Sequence, residues 1–153
     1  AVMTLNRQQN IFNMYFVNPK SGVSRLILRD ENKCYVDSEW LTSIHFLKDG
    51  FTYVSEQDGY AHIYLYSPTG VVQRQVTKGN WDVTRFIGID EKTKTVYYES
   101  AEESPTQRAV YKIDAKGVKV KLSKSVGTNS ASFSADYAYY VNRYSNANTY
   151  HRQ

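Results

Sequence analysis

The sequence has 153 residues, which is room for one domain of ordinary size. Apolar residues make up 41% of it, the mean hydropathy is −0.57, and no window approaches the ~18 apolar residues of a membrane-spanning helix, so we expect a soluble chain without a membrane span. The net charge of +4 comes from 19 basic and 15 acidic residues that are interleaved. Because neither a long run of one sign nor a nucleic-acid-binding motif accompanies this charge, nucleic acid is not a predicted partner.

The residue types favour strands over helices. Val, Thr and Ile together number 33 against 7 Leu, and there are 14 Tyr. β-Branched and aromatic residues are enriched in strands, so we predict an all-β chain. The single cysteine, Cys34, excludes an internal disulfide and a cysteine-based zinc cluster.

The predicted elements are hairpins of two alternating kinds. In chain order they lie at 14–28, 44–56, 63–77, 86–99, 110–122 and 131–141. The first, third and fifth have a glycine in the turn, and Gly22, Gly70 and Gly117 are 48 and 47 residues apart. The other three have an aspartate there, which favours turns because its side chain can bond the backbone two residues on; these are Asp49, Asp90 and Asp136.

Two hairpins in every 41–49 residues give four antiparallel strands per repeat, which is the pattern of a β-propeller blade. We predict a partial propeller with blades at 1–38 (partial), 39–80, 81–126 and 127–153 (partial). Residues 1–30 would supply the last strands of one blade, and 130–145 only the first two of another. A propeller needs at least about four blades to close, so we expect an excised fragment that self-associates through its open edge strands.

A β-sandwich of about ten short strands would have a similar composition. The threefold recurrence of both hairpins favours the propeller.

No serine in the sequence lies in the motif that holds the nucleophile of a serine hydrolase. Gly22-Val-Ser24 begins like the turn that holds a hydrolase serine, but the second glycine is missing. The histidines His45, His62 and His151 have no metal-ligand spacing with one another or with the cysteine. We predict no catalytic residue, no metal site and no cofactor.

Several polar side chains have structural explanations. The pair Glu102-Glu103 could bind a substrate amine, but it lies on a long connection, where glutamate is ordinarily solvated. His62 opens a strand, which favours a packed or hydrogen-bonded histidine over a catalytic base. Lys119 and Lys121 alternate with Val118, Val120 and Leu122, which predicts the solvated face of a half-buried strand.

The aromatic residues follow the repeat. Tyr137, Tyr139 and Val141 have the period of one strand face, which predicts packing in the core. Trp40 and Trp81 are 41 residues apart, each just before the first strand of a blade, so we interpret them as structural residues of the repeat.

Two stretches are more specific than a generic blade. They are Ser55-Glu-Gln-Asp-Gly-Tyr-Ala-His-Ile-Tyr-Leu-Tyr66 and Val76-Thr-Lys-Gly-Asn-Trp-Asp-Val83. The chain resembles the propeller of the dipeptidyl peptidase IV family, prolyl oligopeptidase-type serine peptidases that carry Ser-Glu-x-Asp-Gly-Tyr/Trp-x-His and then Thr-x-Gly-x-Trp-Glu-Val. Segments 96–100, 110–114 and 131–134 fall in the expected order, and the likeness looks closest to the bacterial branch.

The resemblance implies an eight-bladed propeller fused to an α/β-hydrolase domain with a Ser-Asp-His triad. Such enzymes release N-terminal X-Pro or X-Ala dipeptides. Their propeller caps the active site, limits access to flexible chain ends and contributes a glutamate pair that grips the substrate amine. The implied partners are a peptide substrate and the hydrolase domain, and the implied location is periplasmic, secreted or at the cell surface. The residues from Ala1 onward do not show the basic and apolar regions of a signal peptide, so we expect none within these 153 residues.

The residues that the resemblance carries over are few. The triad is expected beyond Gln153 and the glutamate pair before Ala1, so Glu102-Glu103 is not that pair and no substrate-binding residue is assigned. Some family members place an arginine near the substrate after the tryptophan that matches Trp40. Here Leu41-Thr-Ser leads straight to a strand at Ile44 with no arginine, so that subsite is missing or remade.

The expected function is therefore gating and scaffolding, in a fragment that is inactive by itself. The alternative is a non-catalytic propeller that binds a peptide or glycan, which would have no Gly-x-Ser-x-Gly domain downstream. A propeller glycosidase would need two inward carboxylates, whereas the acidic residues here cluster on turns.

Overall fold

The structure is a computed structural model that describes residues 1–153. Its strands form four antiparallel sheets, numbered I to IV along the chain. Sheet I consists of β1 (Val2–Leu5), β2 (Ile11–Val17) and β3 (Ser24–Glu31). A one-turn helix, α1 (Ser38–Leu41), precedes sheet II, which consists of β4 (His45–Leu47), β5 (Gly50–Ser55), β6 (His62–Tyr66) and β7 (Val72–Gln75).

The second half of the chain repeats this plan. Sheet III consists of β8 (Val83–Asp90), β9 (Thr95–Ser100), β10 (Ala109–Ile113) and β11 (Lys119–Lys121). Sheet IV consists of β12 (Thr128–Phe133), β13 (Tyr140–Asn146) and β14 (Thr149–Arg152). In every sheet the strands lie side by side in chain order. This is the meander of a propeller blade, so the predicted all-β partial propeller is confirmed.

The repeat extends to burial. All six residues of β5 and all six of β9 are buried, and β6 and β10 share one pattern in which only the fourth residue is partly exposed. The second and third strands therefore form the interior of each four-stranded sheet. They are flanked by a strand on both edges, and their side chains are buried on both faces.

The chain divides into two compact units, residues 1–59 with 63–75 and residues 60–62 with 76–153. The core of the first unit is aromatic: Phe51 stacks on Tyr66 with ring centroids 5.0 Å apart, and Phe12 stacks on Tyr53 at 5.8 Å. Each fully buried side chain of this size contributes about 1.5–3 kcal/mol through removal from water.

Gly70 marks a close approach within the first unit. Its φ is +85°, and a Cβ on it would lie 1.8 Å from the carbonyl oxygen of Ile27 in β3. Only glycine fits there, because both the conformation and the space exclude a side chain.

Several expectations are wrong in detail. Residues 130–145 supply two strands of sheet IV, as predicted, and a further strand that was not predicted, β14, follows at Thr149–Arg152. Tyr137 and Tyr139 are not on a strand: they lie in the turn before β13, Tyr137 with φ +56° and Tyr139 79% exposed. The inward face predicted around β11, the outermost strand of sheet III, is open: Val118, just before the strand, is 57% exposed, and Val120, within it, is 43% exposed.

Helical structure is confined to the single turn of α1, and no helix has the length and apolarity needed to span a bilayer.

Candidate functional site

The two tryptophans stand at equivalent points, Trp40 in α1 before β4 and Trp81 directly before β8. Trp40 lies within α1, which ends at Leu41, and β4 begins at His45, one residue later than the predicted strand start at Ile44. Asp37 begins this helix by accepting the Glu39 N–H at 2.9 Å, and the Ser43 hydroxyl ends it by donating to the Trp40 carbonyl at 2.6 Å. These local polar bonds hold Trp40 against the body of the first unit.

A small cavity adjoins Trp40. Its lining includes Asp30, Asp37, Tyr53 and Ser55, and its volume is about 10 Å³. A volume of this size holds about one water molecule, so no peptide group or amine fits inside. The sequence left open whether the subsite after Trp40 is missing or remade; at this tryptophan the structure offers packing, without a ligand pocket.

Tyr53 is 99% buried in this cavity wall. Burial raises the pKa of its hydroxyl, and the carboxylate of Asp30 raises it further. Asp30 itself accepts the Ser55 hydroxyl at 2.8 Å. Tyr53 therefore stays protonated throughout the neutral range and is not an acid–base group.

His62 is fully buried and uses both ring nitrogens. Nε2 lies 2.9 Å from the Gly79 carbonyl oxygen, so it carries the proton and donates; Nδ1 then accepts the Thr77 hydroxyl at 3.1 Å. The ring also meets Trp81 edge-on at 5.0 Å. His62 is thus a packed, hydrogen-bonded structural histidine, as predicted, and has no free nitrogen for catalysis.

The second unit contains an aromatic column beside this histidine. Trp81 stacks on Tyr98 at 6.3 Å and Tyr98 on Tyr111 at 5.6 Å. The ammonium of Lys119 lies 5.7 Å from the Trp81 ring and 5.6 Å from the Tyr111 ring, within cation–π range. Trp81 is therefore a structural residue of the repeat.

The adjacent glutamates are ion-paired, so the expectation of simple solvation is wrong. Glu102 binds the ammonium of Lys119, and Glu103 binds that of Lys121 at 2.7 Å and accepts the Tyr111 hydroxyl at 3.0 Å. The same contacts correct the prediction that both lysines only face solvent. They fasten the β9–β10 connection to β11, and the carboxylates are committed within sheet III.

The other candidate residues are dispersed along the chain. Ser24 begins β3 and is exposed, His45 is in β4 and His151 is in β14. The structure contains no group of three or more His, Cys, Asp or Glu side chains placed to hold a metal ion.

Two buried polar residues were missed by the sequence reasoning. Glu99, 6% exposed, accepts the Arg85 guanidinium and the backbone N–H of Ala131, each at 3.1 Å. Asn129, 1% exposed, donates its amide to the carbonyls of Arg108 and Ser125 at 3.0 and 2.9 Å. Glu99 thereby joins sheet III to sheet IV, and Asn129 joins β12 to the segment just before β10. The available signal was Glu99 directly after Val96-Tyr-Tyr98 in the predicted strand.

The chemistry around these residues consists of aromatic packing, buried neutral hydroxyls and internal ion pairs. The histidine in these contacts, His62, uses both ring nitrogens for Thr77 and Gly79 and is not available as a base.

Comparison with known proteins gives the class. Residues 1–151 match the family model described as the dipeptidyl peptidase IV (DPP IV) N-terminal region. The chain belongs to this family, and the resemblance drawn from the two motifs is confirmed.

Individual relatives agree with this family assignment. The crystal structure of Porphyromonas gingivalis dipeptidyl peptidase 4 is 62% identical with a TM-score of 0.92, over 96% of this chain and 21% of that one. The dipeptidyl peptidase 4 proteins of Arthroderma otae and Trichophyton rubrum are each 31% identical over 97% of this chain and 20% of their own length. The higher identity to a bacterial protein agrees with the predicted bacterial type, and this chain spans about a fifth of the length of these curated relatives.

A more distant structure shows the fold alone. A putative dipeptidyl aminopeptidase IV from Bacteroides ovatus has a TM-score of 0.74 at 23% identity, over 94% of this chain and 23% of that one.

Proposed function

We propose that these 153 residues are the non-catalytic propeller segment of a serine-type dipeptidyl peptidase that releases N-terminal X-Pro and X-Ala dipeptides. The observation that carries the proposal is the family match over residues 1–151, together with 62% identity to the P. gingivalis protein. In this proposal the blades correspond to residues 1–38, 39–80, 81–126 and 127–153.

The segment gates and scaffolds an active site that an α/β-hydrolase domain supplies. The internal contacts of His62 and Glu102-Glu103 support this separation of a non-catalytic segment from a catalytic domain. These side chains bond within sheet III or to the segment that leads into it. A closed propeller chamber restricts entry to flexible chain ends. The proposed location of the enzyme is the periplasm or the cell exterior.

The activity is tested on the full-length protein with glycyl-prolyl-p-nitroanilide and its N-acetylated form. We expect the free-amine substrate to be cleaved, the acetylated one to resist, and a serine-directed fluorophosphonate to abolish cleavage. Absence of cleavage, or equal cleavage of both substrates, would contradict the proposal.

Gating is tested separately by substrate size. A short peptide that begins X-Pro should be processed, whereas a folded protein with its X-Pro terminus packed against its own surface should not. Cleavage inside folded proteins would refute a gating role while leaving the peptidase activity in place.

We also propose that a chain of these 153 residues self-associates through the strands at the edges of sheets I and IV. In β1, Val2 and Met3 are 49% and 41% exposed, and in β14 Tyr150 is 96% exposed. Edges of this kind present unpaired backbone groups and apolar side chains to a second copy.

A further inference from the structure

The small cavity beside Trp40 is lined by residues from three separate elements of the first unit. Asp30 belongs to β3, Trp40 to α1, and Tyr53 and Ser55 to β5. The cavity volume of about 10 Å³ corresponds to one water molecule. A molecule of that size bound here would therefore contact α1, β3 and β5 at once.

Two polar atoms on these lining residues are buried and have no hydrogen-bond partner in the protein. They are Nε1 of Trp40 and the hydroxyl of Tyr53, a residue that is only 1% exposed. The indole nitrogen can only donate a hydrogen bond, whereas the tyrosine hydroxyl can donate and accept. Buried polar groups are nearly always paired, because a hydrogen bond left unmade in the interior costs free energy. The cavity thus has two walls that each need a polar partner.

Asp30 provides an acceptor in the same cavity. Its carboxylate accepts the Ser55 hydroxyl at 2.8 Å, and a carboxylate can accept about four hydrogen bonds in all. Burial and then the charge of Asp30 raise the pKa of the Tyr53 hydroxyl, so carboxylate and hydroxyl are near each other. No hydrogen bond of ordinary length and angle joins them, however. Two polar groups that are close but not in direct contact are often joined by a bridging water.

We propose that this cavity binds one structural water molecule that joins α1 to β3 and β5. The water oxygen accepts the N–H of Trp40 and the O–H of Tyr53, and the water donates a proton to the carboxylate of Asp30. About three hydrogen bonds is the usual number for a buried water. The Trp40 N–H excludes a metal ion or an ammonium as the occupant, because a cation cannot accept a hydrogen bond. This proposal is independent of the peptidase activity proposed above.

The bound water adds a polar link to an element that is too short to be stable by itself. An isolated helix of fewer than about 12 residues is marginal in water, and α1 is a single turn. Its ends are held by Asp37 and Ser43, and Trp40 packs against the aromatic core of the first unit. The water connects the polar atom of the same indole ring to β3 and β5.

The direct test is a crystal structure of the full-length protein at a resolution that shows ordered waters. We expect density for one water within about 3.2 Å of Trp40 Nε1, the Tyr53 hydroxyl and the Asp30 carboxylate. The proposal is overturned if the cavity contains no such density, or if the Tyr53 hydroxyl bonds directly to Asp30 without a water.

The variant Tyr53→Phe gives a second test, in which the direction of the effect decides. If the water is bound, the variant removes one of its hydrogen bonds, and the thermal midpoint of the full-length protein should fall by about 1–2 °C in calorimetry. If no water is bound, the wild-type hydroxyl is an unpaired buried group, and its removal should leave the midpoint unchanged or raise it.

Thr52→Val is the matched control for this variant. Thr52 precedes Tyr53 in β5, is 1% exposed and also has a buried hydroxyl without a partner, but it does not line the cavity. Because its hydroxyl does not contact the proposed water, the midpoint of this control should not fall. No fall with Tyr53→Phe, or an equal fall with both variants, would overturn the proposal.

Discussion

His62 shows how a residue with catalytic chemistry becomes part of a core. Its ring has zero exposure, one nitrogen donates to Gly79, the other accepts from Thr77, and its edge contacts Trp81. A buried polar ring is tolerated because every one of its polar atoms is paired. The histidine thereby fastens the start of β6 to the segment that leads into β8.

Replacing this histidine should be costly. His62→Ala is expected to lower the free energy of unfolding by about 3 kcal/mol, since it removes two buried hydrogen bonds and leaves a cavity beside Trp81. Urea unfolding followed by tryptophan fluorescence measures the change. The control His151→Ala, at an exposed position in β14, should leave the midpoint within about 0.5 kcal/mol of the wild type. Equal midpoints for the two variants would show that the contacts of His62 carry no net stability.

A second residue-scale prediction concerns pH. The hydrogen bond from Lys121 holds the pKa of Glu103 below its ordinary value of 4.5. Because the folded-state pKa is the lower one, the stabilisation is fully present above about pH 4.5 and is lost as the pH falls through the folded value. Lys121→Met should therefore destabilise the protein by about 0.5 kcal/mol at neutral pH, a small effect because the pair is half-exposed.

The difference between this variant and the wild type should shrink between neutral pH and about pH 3, because Glu103 becomes progressively protonated in both proteins. Urea midpoints at the two pH values measure the difference. Lys124→Met, which removes an exposed lysine that follows the same strand, is the control and should show no pH-dependent difference. A gap that stays constant with pH would assign the effect to the lysine stem and not to the ion pair.

At the scale of elements, the turn glycines of the repeat are not equivalent. Gly22 and Gly70 both have positive φ, +71° and +85°, but a Cβ on Gly22 would meet nothing within 4 Å. Gly22→Ala should cost about 1 kcal/mol from the backbone conformation alone. Gly70→Ala should cost at least about 2 kcal/mol more, because Cβ would collide with the Ile27 carbonyl and β3 or the turn must move.

Thermal or urea unfolding of the two variants isolates the clash, since the conformational cost is common to both. Nearly equal losses of unfolding free energy in the two variants would mean that the turn at Gly70 can move away from β3 at little cost. In that case the close approach at Gly70 would contribute little to holding sheets I and II together.

The sequence predicted those elements whose cause is local. Hairpins were found because glycine and aspartate mark their turns and β-branched residues their strands, as at Gly70 and Asp90. Features that depend on residues distant in the sequence were not predicted. The partners of the buried Glu99 carboxylate, for example, lie 14 and 32 residues away. Tyr137 matches a strand period by coincidence, and its turn position is fixed by stacking on Tyr97.

The candidate sites divide in the same way. The structural role of His62 followed from its place in the motif and the strand pattern. The ion pairs of Glu102-Glu103 depend on where β11 lies, which no local pattern specifies.

At the scale of the whole molecule, edge strands govern the behaviour proposed for the isolated chain. We expect 153-residue chains to form dimers or larger species with rising concentration, measured by light scattering, because apolar residues lie on the edge strands β1 and β14. The variant Met3→Lys/Tyr150→Lys should shift the population toward monomer, since lysine on an edge opposes strand pairing. A monomer at all concentrations would contradict the proposal.

The bond between Glu99 and the Ala131 amide joins two sheets that are synthesised one after the other. The acceptor is a side chain of sheet III, and the donor is backbone of sheet IV, 32 residues later. During synthesis at about 5–20 residues per second, Glu99 precedes Ala131 by about 2–6 s. The Glu99 carboxylate and its partner Arg85 are therefore synthesised before the Ala131 N–H that the carboxylate also accepts.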